Sequence, residues 1–363
     1  MPVNIWPCTP QSSQRLRAFQ SSRYFPARYS QRGHEVSQIW LEAVKGIHAF
    51  AGRDFIAIHS LSNYVGPEER QLKQLSRQKR NRFGRMAAIV GKLGRGIPNA
   101  VWTFPDRVAK TWLRGSAWLN RARDRERALR AFRQINSGDF TVTLDNLSKI
   151  PIFSEQFEEV PALVLYFACV LNVLHSHLRN HKIEFVLEIG PGEGVLAIAL
   201  HQLFGWRFVF VDLPEVAAIT FAMISYYAPD AIVVLPHEVE QINFQSKADF
   251  VLLVPEQVGL IPDCSVDLAI NMASFQEMTY SLIARYFGLI ERSLKPGGFF
   301  YCLNETKFMR HRNGEQIEFG KFPWSPLFRD LFCEEFPYWT AFRGYQRQHR
   351  LQMKGSIEKT GCS

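Results

Sequence analysis

From residue 138 onward the chain alternates short apolar runs with longer stretches of helical length. Ile183–Ile189, Arg207–Val211, Asp249–Val254, Val266–Met272 and Phe299–Asn304 are apolar runs of strand length. Val195–Phe204, Pro214–Tyr227 and Ser281–Leu294 lie between them and read as helices, and Pro161–Leu178 precedes them as a buried helix. Short strands without polar alternation, separated by helices, predict parallel strands covered on both faces. Near the end, Glu335–Arg343 and Tyr345–Met353 read as a closing antiparallel pair. An open α/β sheet of this kind binds its ligands at the carboxyl ends of the strands.

The front of the chain follows a different pattern. Residues 1–66 read as irregular or partly helical, with Val36–Phe50 carrying Ile39, Trp40, Val44 and Ile47 at helical spacing. Pro67 opens a basic segment, 67–137, in which Arg77, Lys79, Arg80, Arg82 and Arg85 fall within nine positions. Gly91, Gly94, Gly96 and Pro98 interrupt any long helix there. From Trp112 to Arg133, Trp118, Ala122, Leu129 and Phe132 form a narrow apolar stripe among arginines, the signature of an amphipathic cationic helix. Gly138 marks a break. Residues 138–182 read as a helical cap leading into the core, and 183–363 as the main α/β domain.

Charge sharpens this division. The 363 residues carry a formal net charge of +9. Residues 1–150 hold 26 basic and 10 acidic side chains, and the remainder hold 17 and 24. A basic front on an acidic back predicts two jobs, one of them contact with something anionic. Composition, at 47% hydrophobic and 21% charged, is that of a folded globular chain. The longest apolar run, Val160–Leu174, is interrupted by Asn172 and is short of the roughly 20 residues a spanning helix needs. No transmembrane segment or signal peptide is expected. Cys8, Cys169, Cys264, Cys302, Cys333 and Cys362 are scattered, which predicts neither a disulfide framework nor a structural zinc site. The expected location is the cytoplasm, with contact at a membrane surface left open.

The most informative stretch is Glu188-Ile189-Gly190-Pro191-Gly192-Glu193-Gly194, where a buried strand runs into a glycine turn and then a helix. Val195 stands where a dinucleotide fingerprint needs its third glycine, and the Gly-Lys-Ser/Thr of a phosphate loop is absent. An acid two positions before the first glycine would repel a pyrophosphate and suit a ligand carrying an ammonium and a sulfonium. Asp212 ends the second strand, 18 residues after Gly194. An acid there can accept hydrogen bonds from both hydroxyls of a ribose. Leu213 follows, suited to packing on an adenine ring.

Together these residues resemble the class I S-adenosylmethionine (SAM)-dependent methyltransferases over about residues 183–304. The family's acidic glycine motif falls on Glu188, Gly190, Gly192 and Gly194, its ribose-binding acid on Asp212, and its turn before strand five on Leu294-Lys295-Pro296-Gly297-Gly298. The resemblance implies an open, mostly parallel, seven-stranded Rossmann-like sheet with a reversed final hairpin, SAM as cofactor, and a basic, mainly helical N-terminal region outside it. The polar residue that contacts adenine after the third strand is taken as Glu256 or Gln257, following Asp249–Val254, in preference to His237 and Glu238 after Ala231–Leu235. Asn271, on the fourth strand, is taken as cofactor-binding too.

The segment after the fourth strand faces the transferred methyl in that family. Here it lacks an Asn-Pro-Pro-Tyr type motif for methylating the amino groups of bases and a Pro-Cys nucleophile for methylating a pyrimidine carbon. Ser274-Phe275-Gln276-Glu277-Met278, with Asp212-Leu213-Pro214-Glu215 and Tyr301-Cys302-Leu303-Asn304, resembles a group of sugar O-methyltransferases. That implies a sugar or glycoconjugate hydroxyl as acceptor. A hydroxyl needs a base to take its proton. Glu277 is the first candidate, or else it complements the dipole of the next helix. Ser274 and Gln276 orient hydroxyls or cap that helix, and His311 is the fallback base. Asn304 and Glu305 stand at the tip of strand five, in the pocket wall or in a surface loop. No metal ligand set is expected. Two other readings stay open: ribose O-methylation of RNA with the basic front as its arm, and a non-catalytic scaffold. In the scaffold reading, the basic amphipathic segment within residues 68–133 could dock to an anionic lipid surface or another anionic partner. Nucleic acid is the less favoured partner, because the base-methylation motifs are missing.

Overall fold

The computed structural model describes residues 3–7, 9–23, 48–51, 55–59, 123–135, 142–143, 146–157, 161–240, 247–309, 315–344 and 346–355. An N-terminal unit holds β1 (Val3–Pro7), α1 (Pro10–Gln20), β2 (His48–Ala51) and β3 (Phe55–His59). Helix α2 spans 123–135, and α3 (Pro151–Phe157) and α4 (Pro161–Leu178) lead into the main sheet. Its elements run β4 (Phe185–Ile189), α5 (Val195–Phe204), β5 (Arg207–Val211), α6 (Pro214–Tyr227), β6 (Val233–Val234), β7 (Phe250–Leu253), β8 (Val266–Met272), α7 (Tyr280–Ser293) and β9 (Leu294–Glu305). A small hairpin, β10 (Lys307–Met309) and β11 (Gln316–Glu318), precedes β12 (Phe328–Glu335), α8 (Pro337–Arg343) and β13 (Arg347–Lys354).

The main sheet has eight strands in the order β12-β13-β9-β8-β4-β5-β7-β6. Only β13 is reversed: it pairs antiparallel with both β12 and β9, while the pairs from β9 to β6 are parallel. The order reverses at β4, the strand that feeds the glycine loop. All five residues of β4 are buried, as a central strand covered on both faces requires. One face packs on α4, α5 and α6 through residues such as Leu171, Ile198 and Phe221. The other packs on α7 through Ile283, Phe287 and Ile290. Local signals set the helix ends. Gly205, in the left-handed region at φ 68, closes α5 by donating to His201 O, and Pro214 starts α6. Thr279 caps α7 by accepting from the Leu282 N–H.

The structure corrects four expectations. The sheet has eight strands, because the Ala231–Leu235 run, set aside as a third strand, supplies the short edge strand β6 beyond β7. The closing partner of β13 is Phe328–Glu335, and residues 337–343 form α8, with Pro337 in its first turn and Gly344 ending it at φ 76. The end of the proposed helix Val36–Phe50 is strand β2; residues 36–47 lie outside the described residues. Cys264 is disulfide-bonded, where the scattered cysteines predicted no disulfide framework, whereas Cys169, Cys302 and Cys333 are free.

Two N-terminal pieces are joined to this core. Arg15 of α1 donates from Nε to Glu238 at 2.8 Å and from Nη2 to Val233 O at 2.5 Å, clamping α1 over the segment after β6. Helix α2 buries Ala128, Ala131 and Phe132 in the same core as α4 and leaves Arg123, Arg127, Arg130 and Arg133 exposed. The amphipathic reading therefore holds for 123–135, and 112–122 lie outside the described residues. No helix among the described residues is long and apolar enough to cross a membrane.

A candidate cofactor cradle at the carboxyl ends of the strands

The turn after β4 has three glycines in the left-handed region: Gly190 at φ 71, Gly192 at 59 and Gly194 at 73. Such angles are strained for any residue with a Cβ. Two of the glycines are also required by the protein's own packing. A Cβ at Gly190 would lie 2.3 Å from Ser274 Oγ, and one at Gly194 3.0 Å from Thr220 Cγ2. Thr220, fully buried on α6, donates to Gly192 O at 2.6 Å and holds the loop against that helix. Sequence reading passed over Thr220; its signal was a lone hydroxyl within the apolar run Ala217–Met223.

Four acids surround the loop. Glu188 is 4% exposed, and its Oε2 has no hydrogen-bond partner among the described residues. Burial, reinforced by the nearby Asp212 charge, pushes its carboxyl up to about 8. Asp212 accepts from the Gly192 N–H at 3.2 Å and the Leu213 N–H at 2.7 Å. Desolvation outweighs both bonds and raises Asp212 to about 7. Burial lifts Glu193 to about 7 as well. Glu215, in the first turn of α6, is raised by burial, and its Oε2 is a second orphan. Among the described residues none of the four forms an ion pair. Desolvated carboxylates with open lone pairs are costly unless something donates to them. An ammonium and a pair of ribose hydroxyls have the chemistry these atoms lack.

A polar network lies beneath the loop. Asn271, fully buried on β8, donates to Ile189 O at 2.9 Å and to Ser274 Oγ at 2.5 Å. Its Oδ1 accepts from Asn304 Nδ2 at 2.9 Å, and Ser274 Oγ donates to Ile189 O at 3.1 Å. Gln276 donates its backbone N–H to Asn304 Oδ1 at 3.1 Å and accepts the Glu305 N–H at 2.7 Å. These bonds tie the tips of β4, β8 and β9 into one rigid edge. Gln257, also buried, accepts the Val254 N–H at 3.2 Å and donates to Pro236 O at 2.8 Å, fixing the turn after β7.

The remaining predicted residues differ in exposure. Leu213 is buried at the start of α6, beside Asp212. Glu256 is exposed in the 3-10 turn after β7, which pairs directly with β5. Glu277 is half-buried at the end of the short turn Phe275–Glu277. His311 lies outside the described residues. His237 stacks on Phe19 at 6.0 Å, and burial lowers its basicity. It lines a cleft of about 510 Å³ with Ser22, Arg23, Val239, Glu240 and Leu260, which includes no glycine-loop residue.

No family model matches the chain, and no curated protein does. Solved structures do. A Galdieria sulphuraria protein assigned as a sarcosine dimethylglycine methyltransferase aligns over 53% of this chain and 88% of its own, at 13% identity and TM-score 0.39. A geranyl diphosphate methyltransferase, solved with its substrate and sinefungin, aligns over 53% and 81% at 13% identity and TM-score 0.36. A SAM-dependent methyltransferase from Methanosarcina mazei aligns over 50% and 97% at 16% identity and TM-score 0.33. Each likeness covers about half of this chain.

Proposed function

We propose that the chain is a SAM-dependent O-methyltransferase acting on a hydroxyl of a sugar or glycoconjugate. The observation that carries the cofactor is the unpaired, desolvated Glu188 beneath a left-handed glycine turn whose Gly192 N–H is bonded to Asp212. In this reading Glu188 and the loop of Gly190, Gly192 and Gly194 hold the methionine end, and Asp212 accepts from the ribose hydroxyls. Leu213 packs on the adenine, and Glu256 stands at its edge. Asn271, Ser274, Gln276 and Gln257 act as positioning residues, since their polar atoms are engaged in tying strand tips together. The bound cofactor supplies an electrophilic methyl on a good leaving group, so the protein has to align an oxygen and remove its proton. Glu277, half-buried beside the tip of β9, is the base in this reading, and a carboxylate there takes the hydroxyl proton as the C–O bond forms.

Isothermal titration of SAM tests the cofactor. The intact chain is expected to bind, and Asp212→Ala to bind about 30-fold or more weakly, the loss of one or two charge-assisted hydrogen bonds. A folded chain that takes up no SAM overturns the reading. For the base, Glu277→Gln is expected to keep cofactor affinity and lose about 10²–10⁴ in turnover. Labelled-methyl transfer to nucleotide sugars, glycan extracts or total RNA separates the sugar reading from ribose methylation. Supporting a second, separable role is the exposed face of α2, with Arg123, Arg127, Arg130 and Arg133, proposed to dock to an anionic lipid surface.

A further inference from the structure

Arg347 is the first residue of β13, and because β13 is reversed it lies at the carboxyl edge of the sheet, opposite Glu305 at the tip of β9. It is 9% exposed. Its guanidinium lies over the rings of Trp339 and Tyr166, at 4.9 and 5.6 Å from their centroids. Tyr166 belongs to the distant α4 and Trp339 to α8, the helix just before β13, so three elements build one corner. The group is poorly satisfied. Nη1 donates to the Tyr166 hydroxyl at 3.4 Å, Nη2 is 3.8 Å from Glu305 Oε1, beyond hydrogen-bond reach, and Nε is buried with no partner. A buried guanidinium with an unmet donor is costly. Rings lie against its faces and Nε is enclosed, so an oxyanion would have to meet the Nη edge. That edge matches an oxyanion.

The corner borders the proposed acceptor mouth. The Glu305 N–H is received by Gln276 Oε1 at 2.7 Å, and Gln276 is followed by Glu277. We propose that Arg347, held between Tyr166 and Trp339, binds an oxyanion carried by the methyl acceptor, a carboxylate or a phosphate on the sugar. The proposal deepens the O-methyltransferase reading and rests on it for the word acceptor; the anion site itself does not. An acceptor anchored at Arg347 by its charged group presents a hydroxyl toward Glu277, so that one residue selects and the other deprotonates. Glu305 stays near enough to offset part of the positive charge, which favours release of product over tight capture.

Calorimetric titration of the full chain with glucuronate, glucose 1-phosphate and methyl glucoside, each with and without S-adenosylhomocysteine, tests this. The expected result is at least about 10-fold preference for one of the anionic sugars over methyl glucoside, and the two anionic arms tell carboxylate from phosphate. Arg347→Gln is expected to erase the preference and leave S-adenosylhomocysteine affinity within about twofold, with Arg347→Lys retaining part of it. Should Arg347→Gln not fold, the wild-type chain still decides: inorganic phosphate or acetate should saturably change indole emission, and Trp339→Phe should abolish that change. No anionic preference in the wild type, or a preference that survives in Arg347→Gln, overturns the proposal. Failure to bind S-adenosylhomocysteine overturns the methyltransferase reading instead, and the phosphate response still judges Arg347.

Discussion

At Glu188, burial and charge oppose one another, and the sign of the pH dependence follows. Its carboxyl ionises at about 8 when folded and near 4.5 when unfolded. The folded chain without cofactor holds a proton that the unfolded chain releases, so stability contributed there is present below 4.5 and lost as pH rises toward 8. Cofactor binding runs the other way, since an ammonium requires the carboxylate. SAM affinity is expected to rise between pH 6 and 8.5, releasing about one proton at pH 7. Titration in buffers of different ionisation enthalpy measures that proton, and Glu188→Gln should remove it. Gly190→Ala tests the loop itself. The left-handed angle costs about 1–2 kcal/mol, and the Ser274 contact adds to it, so thermal unfolding should fall by several degrees. That Glu188, Asp212 and the glycines meet around one turn was legible because their spacing alone brings strand tip, turn and second strand together. What Asn271, Ser274 and Gln276 bond to was not, since a sequence places a polar side chain near a site without saying which acceptor it meets. The partners of Thr220 and Arg347 were illegible for the same reason: they lie 28 and 181 residues away.

Among the elements, α4 shows how a polar residue can organise an apolar helix. Asn172 is 1% exposed; it accepts the Val142 N–H and donates to Val142 O, both at 2.8 Å. This mimics a strand pair and pins the segment before α3 to the core. Asn172→Leu should strand both Val142 groups at a cost of about 1–3 kcal/mol each, and hydrogen exchange at Val142 should accelerate well before that of β4. In the sequence Asn172 registered only as an interruption of a hydrophobic run. Periodicity located α4, α5, α6 and α7 within a residue or so, because each is long and buried. It failed at β6, which is only two residues long, and at α8, where Pro337 and Gly344 were the punctuation to heed.

On the scale of the whole molecule, the basic front is not a detachable arm throughout. Ala128, Ala131 and Phe132 of α2 are buried in the main core, so a truncation through residue 133 would remove core as well as charge. Phe132→Ala is expected to lower global stability by about 3–5 kcal/mol, read by urea unfolding. The exposed arginines are separable from it. Replacing Arg123, Arg127, Arg130 and Arg133 by Gln should leave the unfolding midpoint nearly unchanged and abolish sedimentation with phosphatidylserine vesicles at low salt. Equal sedimentation of both proteins would mean that the face is simply solvated. Charge asymmetry in the sequence suggests an anionic contact, and packing shows which arginines of α2 face outward.

The reversal of β13 also sets an order of assembly. Everything that frames the glycine turn lies between residues 185 and 305, in neighbouring strand–helix units. Arg347 must wait for nearly the last residues of the chain to insert between β9 and β12, and its ring partner Tyr166 is 181 positions earlier. Such long-range closure is slow relative to local contacts. During synthesis, therefore, the glycine turn and its acids can come together before the corner around Arg347 does. On the reading proposed above, the contact with the acceptor's charge is the last part of the site to be assembled.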